Sequence, residues 1–119
     1  MATHNDIGRF GEEKALDYLV SQHFEILETN WRYKKAEIDI IAIKNKKIHC
    51  IEVKTRTNTS YGNPEVFVNV KKIKLQLLGI NHYVELNDLD FEIQFDILSI
   101  ILQNKQVNIE HIENAYYYF

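Results

Sequence analysis

Apolar and polar positions along the chain change period several times, and each change marks an element. The segment "HNDIGRFGEEKALDYLVSQH" places Ala15, Leu16, Leu19 and Val20 at helical spacing, with Asn5 or Asp6 as its expected cap. "FEILETNWRY" reads as a strand running into a turn. "EIDIIAI" and "IHCIEVKT" then read as a β-hairpin around Asn45-Lys46, and "NTSYGNPE" reads as a loop of turn formers. "VFVNVKKIKLQLLGINHYVEL" is expected to be helical, with Val70, Ile73, Leu77, Ile80 and Val84 on one side. "DFEIQFDILSIIL" and "QVNIEHI" read as two further strands joined around Asn104-Lys105. The order helix, three strands, helix, two strands predicts a mixed α/β domain over residues 1–119.

The hairpin carries acids where strand side chains usually pack. With a two-residue turn at 45 and 46, residues whose numbers total 91 are expected to lie opposite each other. Ile43 then faces Ile48, Ile41 faces Cys50, Asp39 faces Glu52 and Glu37 faces Lys54. Strand side chains alternate between faces, so Glu37, Asp39, Ile41 and Ile43 are expected on one face of the first strand. Ile48, Cys50, Glu52 and Lys54 share a face of the second. Opposed carboxylates repel unless a cation lies between them, and magnesium, an oxygen-seeking ion, suits such a pair. Against this stands the plain reading of a solvated strand face, with Glu37 and Lys54 as a cross-strand ion pair.

The N-terminal helix adds a third acid. Glu12 lies on the stripe that contains Ala15, Leu16 and Leu19, whereas Glu13 lies off it and is expected in solvent. Gly8 and Gly11 leave room beside Glu12 for backbone or ligand. An inward acid needs a partner: a metal, or a salt bridge to Arg9 or Arg32.

Charge distribution matters more here than its total. The formal net charge is −3, but residues 31–74 hold eleven basic and four acidic side chains. Residues 1–30 hold two basic and six acidic ones, and residues 75–119 hold one basic and seven acidic. A basic middle between acidic flanks fits a polyanionic partner. Lys44, Lys46 and Lys47 are read as merely solubilising a turn. One cysteine, Cys50, excludes an internal disulfide and reads as a small packing residue. His4, His23, His49, His82 and His111 show no ligand spacing, so zinc is not expected. Trp31 is expected in the core. The aromatic end "AYYYF" can cover the sheet, form a homodimer contact or stack on bases. No 18-residue apolar window and no basic-then-apolar leader is present, so a cytoplasmic location without membrane contact is expected.

The blocks "GRFGE", "NWR", "AEIDIIA", "EVKTR" and "QFDILSI" together resemble the YraN-like family of uncharacterised bacterial proteins, over nearly the whole chain. The central blocks are also similar to the PD-(D/E)XK nuclease superfamily, in which an acid on one strand precedes Glu-x-Lys on the next. Asp39 matches the first acid, and Glu52 and Lys54 match the second block. Glu12 matches a helical glutamate of archaeal Holliday-junction resolvases. Ala36 stands where the family usually has glycine, and Gln94 where it often has arginine before "FD".

The resemblance implies a restriction-endonuclease-like fold, a mixed central sheet flanked by helices. With a live site the expectation is a metal-dependent endonuclease acting on DNA, and the sequence offers no element suited to reading bases, which points to a structure-selective enzyme rather than a sequence-specific one. Glu12, Asp39 and Glu52 would hold Mg2+ or Mn2+, and Lys54 would orient the attacking water. Arg32, Arg56, Lys71 and Lys72 would hold the phosphate backbone. The alternatives are a non-catalytic nucleic-acid-binding module of the same fold and a protein-interaction subunit of a DNA-processing complex.

Overall fold

The computed structural model describes residues 4–57 and 70–115. The loop expected over 58–65, residues 66–69 of the expected second helix, and the aromatic end at 116–119 lie outside the described residues.

Seven elements follow in the expected order: α1 His4–Ser21, β1 Glu25–Tyr33, β2 Ala36–Lys44, β3 Lys47–Arg56, α2 Val70–Leu86, β4 Glu92–Gln103 and β5 Gln106–Ile112. The strands form one sheet in the order β1-β2-β3-β4-β5. Pairing is antiparallel except between β3 and β4, which run parallel and are connected through α2.

Local sequence explains where the elements end. The β2–β3 and β4–β5 hairpins turn on an Asn-Lys pair, with φ of 52° and 62° at Asn45 and Lys46 and 53° and 62° at Asn104 and Lys105. Positive φ at both central residues matches the twist of the flanking strands, and asparagine tolerates it better than most residues. Each helix stops on a left-handed residue, His23 (φ 70°) after α1 and Asp88 (φ 53°) after α2. The Phe24 N–H returns to Leu19 O and the Leu89 N–H to Val84 O, both at 2.9 Å. Phe24 packs in one core cluster with Leu19, and Leu89 in another with Val84, so each stop carries its apolar clasp. The α1 start differs from expectation: the helix includes Asn5 and Asp6, which lie in its first turn instead of capping it.

The sheet buries both faces. Under α1, Ala15, Leu19 and Phe24 pack on Ile40, Ala42, Ile51, Leu98 and Ile100. Under α2, Ile80 and Tyr83 pack on Ile38, Ile41, Ile48 and Cys50. Burial of each isoleucine contributes roughly 1.5–3 kcal/mol, which lets the centre of the sheet hold charged groups at its margin. The α2 stripe is rotated from the expected one: Val70 and Leu77 are exposed, while Gln76, Gly79, Ile80 and Tyr83 are buried. Gly79 sets that rotation, because a Cβ there would stand 3.0 Å from Ala36 Cβ and 3.2 Å from the Trp31 ring. Trp31 is therefore a half-buried flank of this contact, tilted against Tyr83, and not a central core residue. No helix among the described residues is long and apolar enough to cross a membrane.

Candidate functional site where the central hairpin opens

The β2–β3 register near the turn is the expected one, with Ile43 opposite Ile48 and Ile41 opposite Cys50. Paired residues end at Ile40 and Ile51, so Asp39 and Glu52 are not ladder partners. The alternation of β2 also breaks here: Ile38 packs under α2, whereas Ile40, two residues on, packs under α1. Glu37, Asp39, Ile41 and Ile43 therefore do not share one face. The strands part at Asp39, and its carboxylate takes up a freed donor, accepting the Val53 N–H at 2.8 Å.

Glu52 keeps the expected face of β3, directed with Ile48 and Cys50 towards α2, and is 5% exposed. Lys72 and Gln76, one turn apart on α2, divide its two oxygens. The Lys72 ammonium bonds Oε1 in a very short contact, and Gln76 Nε2 donates to Oε2 at 3.2 Å. Gln76 also donates to Glu37 O at 3.2 Å, so one side chain bridges both strands where they separate. The Lys54 ammonium lies 3.5 Å from Glu52 Oε1. Glu37 pairs across β1–β2 with Arg32 at 3.5 Å, so the expected Glu37–Lys54 pair is absent.

Glu12 approaches from α1. It is half-buried and shares with Asp39 a pocket of ≈ 110 Å³, walled also by Arg9, Leu16, Thr29 and Asn30. That is several times the ~10–15 Å³ needed by one water on this measure. Arg32, one expected salt-bridge partner for Glu12, is instead engaged with Glu37. The glycine expected to admit a ligand serves the fold itself. A Cβ on Gly11 would meet Thr55 Oγ1 at 1.9 Å, so Gly11 is what lets α1 lie against β3; Gly8 has nothing within 4 Å.

The electrostatics converge on Asp39. Burial pushes its carboxyl up, the Glu52 charge adds to this, and Glu12 contributes a smaller push in the same direction. The Val53 N–H and the Lys72 ammonium oppose them, leaving Asp39 at about 6 against an ordinary 3.8. A carboxylate held above its ordinary value by neighbouring acids is a group whose ionised form a cation would relieve. The oxygens of Glu12, Asp39 and Glu52 are nevertheless not gathered within 4.8 Å of one another. Among the described residues, the acidic and imidazole group that is so gathered is His49, Asp96 and Glu113.

The expected phosphate-binding side chains are placed unevenly. Lys71 is exposed at the start of α2, and Arg56 is half-buried at the end of β3. Arg32 is exposed but paired, and Lys72 is committed to Glu52 instead of standing on the surface. Cys50 is buried, and burial pushes its thiol well above the ordinary range, which suits packing and not nucleophilic work. Gln94, which stands where the resembled family often has arginine, is buried and donates to Asp96 Oδ1 at 2.9 Å. Gln76 and the Asp96 cluster were missed by sequence reasoning. The available signal for Gln76 was a polar residue within the apolar face of α2. Asp96 gave only an acid inside an apolar strand.

Comparison with known proteins places this geometry in a family. The model of the Uncharacterised protein family UPF0102 matches residues 11–100, a span that contains Glu12, Asp39, Glu52 and Lys54. A UPF0102 protein of Flavobacterium psychrophilum is 48% identical over 119 residues, covering 100% of both chains. One of Christiangramia forsetii is also 48% identical over 119 residues, again covering 100% of both. A third, of Phocaeicola vulgatus, is 40% identical over 117 residues, covering 98% of this chain and 97% of that one. The chain belongs to the uncharacterised protein family UPF0102.

Proposed function

We propose that the protein is a metal-dependent endonuclease that hydrolyses DNA phosphodiester bonds, related in its site to the PD-(D/E)XK nucleases. The observation that carries this reading is the half-buried Asp39 carboxyl, which lines a pocket with Glu12 where the hairpin opens and is held above its ordinary value by burial and by Glu52. A carboxyl perturbed by burial and by a neighbouring acid, beside a pocket, is a candidate functional site. Their donor set is all oxygen, which suits Mg2+ or Mn2+. Asp39 and Glu52 would hold the ion, with Glu12 supporting it from the pocket side. When bound, the ion would polarise the phosphoryl oxygen and lower the pKa of an attacking water.

The chain's own groups supply the rest. Lys54, beside Glu52, offsets negative charge that develops on the phosphate and orients the water. Lys72 neutralises Glu52 in the metal-free protein, so an arriving cation competes with its ammonium for Oε1. Lys71, Arg56 and Arg32 hold the phosphate backbone, contacts that position a strand without reading its bases.

A second reading, a non-catalytic nucleic-acid-binding module, is favoured by one observation: the Lys72 ammonium already occupies a Glu52 oxygen. Cleavage assays on linear, branched and single-stranded DNA and on RNA, with Mg2+ or Mn2+, separate the two. The nuclease reading expects cutting that Asp39→Asn abolishes. Binding without cutting of any substrate supports the module.

A further inference from the structure

A second polar cluster lies on the α1 side of the sheet, at the other end of α1 from Glu12. Asp96 of β4 is wholly buried at its centre. Its Oδ2 accepts hydrogen bonds from His49 Nδ1 of β3 at 2.6 Å and His111 Nε2 of β5 at 2.8 Å. Its Oδ1 accepts from Gln94 Nε2 at 2.9 Å and from the Asn114 N–H at 3.2 Å. Burial pushes the Asp96 carboxyl up, but the bonds from His111, His49 and Gln94 outweigh it and hold it well below the usual range. Ligand atoms of His49, Asp96 and Glu113 lie within 4.8 Å of one another. His111 and Glu113 also line an open pocket of ≈ 270 Å³ with Tyr18, Gln22, Phe24 and Lys44. Four elements and the turn after β5 thus converge, joined by the β3–β4 and β4–β5 registers.

We propose that His49, Asp96 and Glu113 form a site for a borderline divalent metal, Zn2+ foremost, separate from the Glu12–Asp39–Glu52 cluster, with His111 positioning Asp96. The donor set decides the class of ion. An imidazole nitrogen with two carboxylates suits Zn2+ or Co2+, whereas Mg2+ prefers oxygens alone. Glu113 brings a second carboxylate beside Asp96 and His49, a like-charge approach that a bound cation would relieve. Gln94 and the Asn114 N–H, on the oxygen that faces neither histidine, would keep Asp96 oriented as outer partners do at metal centres.

His49 Nδ1 now donates to Asp96 Oδ2 at 2.6 Å. On loading, the metal would replace the His49 ring hydrogen that faces Asp96. A neutral imidazole shifts its proton to the other ring nitrogen, and a charged one releases a proton to solvent.

The test uses untagged, chelator-stripped protein titrated with Zn2+ and separately with Co2+. Melting temperature and the visible absorption of bound Co2+ are the readouts. The wild type should show a saturable rise in melting temperature at one ion per chain and a Co2+ band, with no competition from equimolar Mg2+. Glu113→Gln, a one-atom change in an exposed turn, should keep the fold and weaken Zn2+ at least about tenfold. His111→Gln should also weaken it, while Asp39→Asn should leave the response unchanged. No response in the wild type, an equal response in Glu113→Gln and His111→Gln, or loss of response in Asp39→Asn would each overturn the proposal.

Discussion

Replacing Asp39 by asparagine should stabilise the metal-free protein at neutral pH and leave it unchanged in acid. The acid's folded-state value is raised from 3.8 to about 6, first by burial and then by Glu52, with Glu12 adding to both. At about 1.4 kcal/mol per unit, ionising Asp39 in the folded state costs on the order of 3 kcal/mol. Its neutral form is bound more tightly in the native state than in the unfolded chain. That contribution is complete below pH 3.8 and is lost as pH rises through about 6. The charged groups facing it are Glu12 from α1, Glu52 from β3 and Lys72 from α2, and all remain in the variant. Asparagine keeps an oxygen for the Val53 N–H, and its own amide hydrogens face acids able to accept them.

Each kcal/mol moves the melting temperature of a small domain by roughly 4–8 °C, so a rise of about 12–24 °C is expected at pH 7.5. The assay is thermal unfolding of wild type and variant in chelator from pH 3.5 to 8. The difference between them should appear between pH 4 and 6 and then level off. A variant less stable at pH 7.5, or a difference independent of pH, would refute the reasoning.

Glu52→Gln should move stability the other way, because its charge anchors Lys72, Lys54 and Gln76; chemical denaturation in chelator should show a lower midpoint. Gly11→Ala should cost about 1–3 kcal/mol despite the better helix propensity of alanine, since its Cβ meets Thr55 Oγ1 at 1.9 Å; a urea midpoint at unchanged slope checks this. Lys71→Glu, at an exposed position, should weaken DNA binding and lower the log–log salt slope by about 0.9, measurable by fluorescence anisotropy across salt concentrations.

Much of the frame was legible in the chain because local rules govern it. Asn45-Lys46 and Asn104-Lys105 mark the β2–β3 and β4–β5 hairpins, and a two-residue turn sets the register from Lys44 to Ile40. The same rule failed at Asp39 because it assumes pairing that continues unbroken, whereas the strands part there and β2 changes faces. The face of α2 was misread because Gly79 and Gln76 occupy it: close approach to Ala36 and Trp31, and a bond to Glu52, outweigh exposed Leu77. His49, Asp96 and His111 meet only through pairing of three strands, one pair of them parallel. Linear spacing of histidines carries no trace of such a meeting.

The central claim, that Glu12, Asp39 and Glu52 together hold a divalent cation, is tested most directly by Mn2+ titration of melting temperature. Wild type, Glu12→Gln, Asp39→Asn, Glu52→Gln and the Glu37→Gln control are compared in protein whose Glu113→Gln background removes a ligand of the other candidate site. Mn2+ should raise the melting temperature with the background change alone and with Glu37→Gln added, and much less with Asp39→Asn, Glu52→Gln or Glu12→Gln, since only a ligand of the native state stabilises by mass action. Equal stabilisation of all of them, or of none, would contradict the account.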